Sequence, residues 1–272
     1  KDEIQSKVSD DLREVHMVGG LHNKWPFERY VDAIRWVKEK NPRVQVKAYT
    51  AVEVWYFSKI AKISVRQVLE RLREAGLDAM PGGGAEVFSA RVKAELFPGK
   101  IGADEWLDVH RTAHSMGIRT NSTLLYGHIE THKERVDHML RLRELQDETG
   151  GFFSFIPLAF QPGTTGLVQR GASSLEDLKT IATARLLLDN FDHIKAYWIM
   201  LGEDTASIAL NWGATDMDGT VGEERIAHAA LASSPLSLAR DKMVSLIREA
   251  GRVPAERDAL YNILHVYDGA AV

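Results

Sequence analysis

Residues 118–160 read IRTNSTLLYGHIETHKERVDHMLRLRELQDETGGFFSFIPLAF, and this stretch decides how the rest of the chain is read. An apolar, strand-like run over 118–125 comes first. An amphipathic stretch over 131–149 follows, with Val136, Met139, Leu140 and Leu145 recurring at helical spacing. A second strand-like run closes the unit over 152–160. Thr131 with Glu134 three residues later fits a capping box at the helix start. Strand, helix, strand with a long crossover predicts two parallel strands in a βαβ unit.

The same alternation extends in both directions. Strand-like runs occur at 14–18, 44–49, 77–80, 194–201 and, more weakly, 214–217. Helical stretches lie at 27–40, 64–75, 103–116, 174–190 and 222–230. Ser64 with Gln67 and Ser173 with Glu176 supply two more capping boxes. Leu238, Met243, Leu246 and Ile247 give one more helix in the tail, followed by a short terminal segment. No Ser/Gly-rich linker interrupts the chain, so residues 1–272 form one α/β domain with a C-terminal helical extension over about 236–272. Seven strands are one short of a (β/α)8 TIM-type barrel, and the chain opens on a helix-like segment. The expectation is a barrel lacking its first strand, with that strand upstream of residue 1. An open doubly wound sheet is the competing architecture.

The totals bound the function. The chain is 44% apolar and 26% charged, ordinary for a globular domain, and its formal charge of −4 lacks the basic excess of a general nucleic-acid binder. No apolar run is long enough to span a bilayer, and no signal peptide opens the chain. There is no cysteine, hence no disulfide and no thiolate metal site within these residues.

In either architecture ligands meet the C-terminal ends of the strands. GGLH follows the first strand (Gly19, Gly20, His22), TAVE the second (Thr50, Glu53) and PGGGAE the third (Gly82, Gly83, Gly84, Glu86), with Arg91 beyond. Asn121, Thr123, Tyr126, His128 and Glu130 surround the fourth. Gln161 and Pro162 follow the fifth, Tyr197 and Trp198 stand on the sixth, and Asp218 and Thr220 follow the seventh. Three consecutive glycines cost backbone entropy of roughly 0.5–1 kcal/mol each, so something requires a close approach there. Glu86 would repel a phosphate, so the loop suits a nucleoside or amino-acid moiety better. His22, His128 and His132 with Glu130 offer a metal reading, although HIETH is not the helical HExxH pattern. His110, His114 and His138 fall within helices as packed or solvated residues, and Trp36, Trp55 and Trp106 as helix packing.

GGLH, PGGGAE, the segment YGHIETHKERVDHMLRLRELQDETGGFFSFIPLAF, HIKAYWIMLG, DGTVGEERIAHAA and IREAGRVPAERDALYN together resemble the aminodeoxyfutalosine synthase family. These are radical S-adenosylmethionine enzymes of the futalosine route to menaquinone. The resemblance runs over nearly the whole chain. The sibling family, cyclic dehypoxanthine futalosine synthase, shares the GGLH, PGGGAE and LQDETGGF features, but LLYGHIE, KAYWIMLG and DGTVGEER look more like the first. One departure stands out. The family holds a [4Fe-4S] cluster through CxxxCxxC after the first barrel strand, and this chain has no cysteine. The expectation is an N-terminally truncated piece, lacking roughly a hundred residues by analogy and inactive alone.

The resemblance implies S-adenosylmethionine as cofactor, held by Gly19, Gly20, Glu53, Gly82, Gly83, Gly84, Glu86 and Arg91. His22, Thr50, Asn121 and Tyr126 would contact substrate, and His128 or Glu130 would move a proton; no metal ligand is expected within the chain. The implied reaction adds the 5′-deoxyadenosyl radical to 3-[(1-carboxyvinyl)oxy]benzoate, with rearrangement and decarboxylation to 6-amino-6-deoxyfutalosine. It further implies a cytoplasmic enzyme with an electron donor such as flavodoxin or ferredoxin, no nucleic-acid or membrane partner, and room for a homodimer. The readings set against it are the sibling cyclase, a non-catalytic nucleoside-binding barrel, and a metal hydrolase built on His22 and His128.

Overall fold

The computed structural model describes residues 1–9, 12–163, 165–220, 235 and 237–267. After a short helix α1 (Asp2–Lys7), strand and helix alternate: β1 (Glu14–Met17), α2 (Phe27–Lys40), β2 (Gln45–Ala48), α3 (Ala51–Ala61), α4 (Val65–Ala75), α5 (Ala90–Leu96), α6 (Ala103–Ser115), β3 (Thr120–Tyr126), α7 (His132–Thr149), β4 (Phe152–Ala159), α8 (Ser174–Leu187) and β5 (His193–Ile194). Two short helices, α9 (Trp198–Leu201) and α10 (Glu203–Ala209), follow. The chain then runs through α11 (Arg240–Glu249) to a hairpin of β6 (Ala255–Arg257) and β7 (Ile263–Val266).

The strands pair in chain order. β1 lies parallel to β2, β3 to β4 and β4 to β5. Single parallel bridges, Lys47 with Ala79, Met80 with Thr120 and Lys195 with Asp216, join the pieces and add two minimal strands. Seven parallel strands thus follow one another without a reversal. A doubly wound sheet reverses its order at a switch point, so sequential order favours the barrel-type α/β arrangement.

Local chemistry explains the helices. Thr131 and Ser64 form complete capping boxes with Glu134 and Gln67, and Gly150 (φ 61°) and Gly76 (φ 111°) end α7 and α4 in the left-handed conformation that suits glycine. Ser173 caps α8 through the Glu176 N–H alone, because the Glu176 side chain turns to Arg135. Val31, Ile34, Leu69, Leu72, Trp106, Met139, Leu142 and Ile181 are fully buried and form the apolar layer between helices and sheet.

The inner face of the sheet differs. Successive side chains in a strand point to opposite faces. In β3, Thr120 meets His110 and His114 of α6, and Tyr126 meets Asp177 of α8, so even positions face the helices. Odd positions face the lumen, where Asn121 Oδ1 accepts from Ser154 Oγ at 3.2 Å. Lys47 and Lys195 point inward too, each buried against a carboxylate: Lys47 on Glu14 (2.9 Å) and Lys195 on Asp218 (2.7 Å). The β6–β7 hairpin closes the end where strands begin. Tyr261 stacks on Phe153 and His193, Arg257 pairs with Asp216, and Gln45 donates to Asp258 at 2.9 Å.

Several expectations need correction. Of the run 194–201 only Ile194 lies in a strand (β5), and Trp198–Leu201 is helix, since a short apolar run fits either period. The run 77–80 shrinks to two isolated bridges, at Ala79 and Met80, and the run 214–217 to one, at Asp216. TAVE opens a helix, α3, instead of remaining a loop. The tail is helical only to Glu249 and then turns into the antiparallel hairpin. The stretch 222–230 lies outside the described residues.

Candidate cofactor and substrate site

The loops after β1, β2 and the 79–80 bridge meet at the N-terminus of α3. Glu53, 3% exposed, sits at the third helical position. One carboxylate oxygen accepts from the N–H groups of Gly19 (2.7 Å) and Gly20 (3.1 Å). The other accepts from Thr50 N (2.8 Å) and Thr50 Oγ1 (2.9 Å). Glu53, expected as a direct cofactor contact, is engaged by its own chain as a staple that fixes two loops. Gly19 and Gly20 remain exposed, with their N–H groups turned to Glu53.

The triple glycine is first a packing device. A Cβ on Gly82 would lie 2.5 Å from Ser122 Cα and 2.7 Å from Asn121 C and O, all backbone of β3. Gly84 has φ +83° and would drive a Cβ to 2.5 Å from Val52 Cγ2. Gly83 is looser, 3.2 Å from Thr50 Cγ2, and its carbonyl accepts from Trp106 Nε1. The loop is pressed against α3 and β3 and presents Gly83 and Gly84, both half-buried, beside Thr50.

Glu86 and Arg91 do not join this cluster as free ligands. Glu86, itself at φ 49°, pairs with Lys100. Arg91 lays its fork on Glu134, Nε to Oε1 at 3.1 Å and Nη2 to Oε2 at 2.8 Å, and also donates to Ile129 O. Each has an ion partner supplied from a neighbouring loop or helix.

Tyr126 is corrected by strand parity. It lies five residues from Asn121, an odd spacing, so the two cannot share a face of a regular strand. Its hydroxyl donates to Asp177 Oδ1 at 2.7 Å in the helix layer, with the Arg135 guanidinium over its ring. Burial raises the Asp177 pKa, opposed by this hydrogen bond. The lumen-facing residue at the mouth is Leu125, which is half-buried.

His128 and Glu130 sit together above α7 and α8, with side chains 1% and 0% exposed. Glu130 accepts from the N–H groups of Gly127 and His128 and from Arg135 Nε at 2.6 Å. Burial pushes its pKa up, but the His128 hydrogen bond, the Gly127 N–H and the His128 and Arg135 charges hold it at about 2. His128 Nε2 faces Leu125 O, so it carries the hydrogen, and Nδ1 lies 2.8 Å from Ile129 N and 3.0 Å from Glu130 Oε2. These contacts organise the loop and contribute to a cleft of about 500 Å³ with Arg135, Arg170 and Glu176. They stand apart from the Glu53 staple, so the catalytic reading of both is not carried by contact with that cluster.

His22 remains accessible, stacked on Trp25 at 4.5 Å with Nδ1 accepting from Lys24 N. Among the described residues no three His, Asp or Glu side chains converge as a metal site, which removes the support for a hydrolase centre on His22 and His128. His110, His114 and His138 are packed as expected. Burial lowers His114 to about 4 and His138 to about 3, and His138 donates to Thr123 O while accepting from Phe88 N. Residues that sequence reasoning passed over are His16, Lys47 and Lys195. Their signal was a charged or polar residue inside an apolar run, EVHMV, VQVKAY and HIKAYW, where period two marks a polar inner face.

A family model for the CofH/MqnC C-terminal region matches residues 149–269. Aminodeoxyfutalosine synthase of Thermus thermophilus is 52% identical over 97% of this chain and 73% of its own length. The enzyme of that name from Streptomyces coelicolor is 43% identical over 96% of this chain and 70% of its own. The 5-amino-6-(D-ribitylamino)uracil–L-tyrosine 4-hydroxyphenyl transferase of Methanopyrus kandleri is 40% identical over 93% and 70%. Among solved structures, methylornithine synthase superposes with a TM-score of 0.69 at 18% identity, over 94% of this chain and 73% of that one. The HMG-CoA lyase of Bacillus subtilis gives 0.53 at 15%, over 92% and 77%. At such identities the structures speak for the fold alone.

Proposed function

This chain belongs to the aminodeoxyfutalosine synthase family, and from that premise we propose that it supplies the cofactor and substrate pocket of an enzyme joining the adenosyl carbon of S-adenosylmethionine to 3-[(1-carboxyvinyl)oxy]benzoate. The product is 6-amino-6-deoxyfutalosine, with loss of methionine and carbon dioxide. The observation that supports this most is identity of 52% across 97% of the chain, in which the Gly19–Gly20, Thr50–Glu53 and Gly82–Gly84 elements are assembled at one barrel mouth.

The residues present fit one implied group and not the other. Gly19 and Gly20 are exposed backbone fixed by the Glu53 staple, which suits a contact with the methionine ammonium through their carbonyls, and the half-buried Gly83–Gly84 backbone suits a nucleoside face. When bound, S-adenosylmethionine supplies the adenosyl carbon that becomes part of the product. The chain's own residues position it: Glu53 fixes the first two loops, Thr50 braces Gly83, and Asn121 and His22 present polar edges toward substrate. A [4Fe-4S] cluster finds no thiolate in these 272 residues, so no step is derived through it. Among the described residues β1 and the 215–216 segment each pair on one side, which leaves room for one more parallel strand in an eight-stranded barrel.

The test is mass spectrometry of the product formed anaerobically by the whole protein with reductant, S-adenosylmethionine and the aryl vinyl ether. Aminodeoxyfutalosine supports the reading. Free 5′-deoxyadenosine alone, with the vinyl ether untouched, rejects the substrate. The family model also covers MqnC proteins, so the sibling cyclase is the reaction to try in that event.

A further inference from the structure

β1 turns Glu14 and His16 to the lumen, while Val15 and Met17 pack into the apolar layer. His16 lies opposite Lys47 in the β1–β2 register and faces Glu14 on its own strand, Lys47 on β2, Lys195 just past β5 and Asp218 beyond the last bridge. Every other charge in this group is spent: Glu14 on Lys47, Asp218 on Lys195, Asp216 on Arg257. Three carboxylates balance three cations. The His16 ring is open to water and has no hydrogen-bond partner among the described residues. It stands three residues before Gly19, roughly 10 Å down the strand from the cofactor loop at a strand rise of about 3.3 Å per residue.

We propose that His16 is the carboxylate-reading residue of the lumen: a carboxylate of the anionic aromatic substrate docks beside it, and the imidazole takes up one proton to form an imidazolium–carboxylate pair. The assignment rests on the substrate class of the proposed function. An anion entering this enclosed space needs a compensating positive charge. Drawing the buried Lys47 or Lys195 away would leave the half-buried Glu14 or Asp218 without its cation. His16 is the uncommitted group able to supply the charge. An ordinary imidazole is already mostly neutral at pH 7.5, and in the free protein desolvation against the strand wall and the Lys47 charge hold the His16 pKa below the usual histidine range. The balance is imidazole plus H⁺ plus carboxylate giving the ion pair, with the proton drawn from solvent. S-adenosylmethionine carries its own ammonium beside its carboxylate and makes no such demand.

Calorimetric titration of 3-[(1-carboxyvinyl)oxy]benzoate into the purified protein at pH 7.5, in phosphate and in Tris, reads the proton directly from the difference in observed heat. The expected result is uptake of about one proton per site by the wild type. His16→Asn should lose that uptake, with Kd raised about tenfold or more and S-adenosylmethionine affinity unchanged. Nitrogen NMR of the labelled imidazole in the wild type gives the same answer without a variant: saturation should move His16 to the doubly protonated pattern. Binding without proton uptake, uptake retained in His16→Asn, or a loss confined to S-adenosylmethionine each overturns the assignment. A wild type that binds S-adenosylmethionine but not the aromatic acid overturns the substrate reading itself, a result distinct from these three.

Discussion

Replacing Glu53 by alanine should destabilise the protein by about 3 kcal/mol. The carboxylate accepts four hydrogen bonds, from Gly19 N, Gly20 N, Thr50 N and Thr50 Oγ1. Hydrogen bonds to a charged acceptor contribute about 1.5–3 kcal/mol each when the donor is left dry. Gly19 and Gly20 are exposed and regain water, so their share is small. The Thr50 pair belongs to a capping box at a buried helix start, where loss of the cap costs about 1 kcal/mol and a truncated buried side chain adds to it. A total near 3 kcal/mol lowers the folded-to-unfolded ratio more than a hundredfold. Glu53→Gln keeps one accepting oxygen and turns an NH₂ toward donors on the other side, so it should cost about half as much. Urea unfolding followed by circular dichroism gives both values from the midpoint at constant slope. Hydrogen exchange at Gly19 and Gly20 should accelerate in both variants. A Glu53→Ala midpoint within about 0.5 kcal/mol of wild type, with those amides still protected, would refute the staple.

Gly82→Ala should cost about 1–3 kcal/mol, since its Cβ meets immovable β3 backbone at 2.5 Å, whereas Gly99→Ala, with nothing within 4 Å, should leave thermal stability unchanged. Tyr126→Phe should destabilise by about 1–3 kcal/mol, by leaving the buried Asp177 carboxylate short of a donor, while S-adenosylmethionine affinity measured by calorimetry stays at the wild-type value. Acid should unfold the protein over a defined window. His114 and His138 have folded pKa values of about 4 and about 3, below the unfolded 6.5, so the unfolded chain binds protons first. Their contribution is complete above pH 6.5 and is lost as pH falls through the window down to about 3. The loss is about 1.4 kcal/mol per pH unit for each histidine, and His138→Gln should flatten a plot of unfolding free energy against pH.

What the sequence made legible was local. The βαβ unit over 118–160 and the caps at Thr131 and Ser64 appear as read, because capping and amphipathic spacing act within a few residues. What it hid was set by partners far along the chain. Arg91 and Glu86 look like free charges until Glu134 and Lys100 arrive beside them. Tyr126 stands at a strand end, where ligands gather, yet its parity sends it to the helices. Looking only at strand ends also hid Lys47, Lys195 and His16, which lie inside the strands, where an apolar neighbourhood masks a polar inner face.

The C-terminal hairpin carries a consequence for biosynthesis. Gln45 is joined to Asp258 across 213 positions, and Asp216 takes its guanidinium partner from Arg257. A chain emerging from the ribosome completes these parallel strands long before residue 257 leaves the exit tunnel, so Asp216 waits in the forming interior with Lys195 nearby but without its guanidinium partner. Pairings of such long sequence separation form late because the loop entropy must be lost first. The barrel thus locks only after residues 257 and 258 have emerged, and a nascent chain arrested near residue 250 should remain an easy target for proteases although its helices and most of its strands are already present.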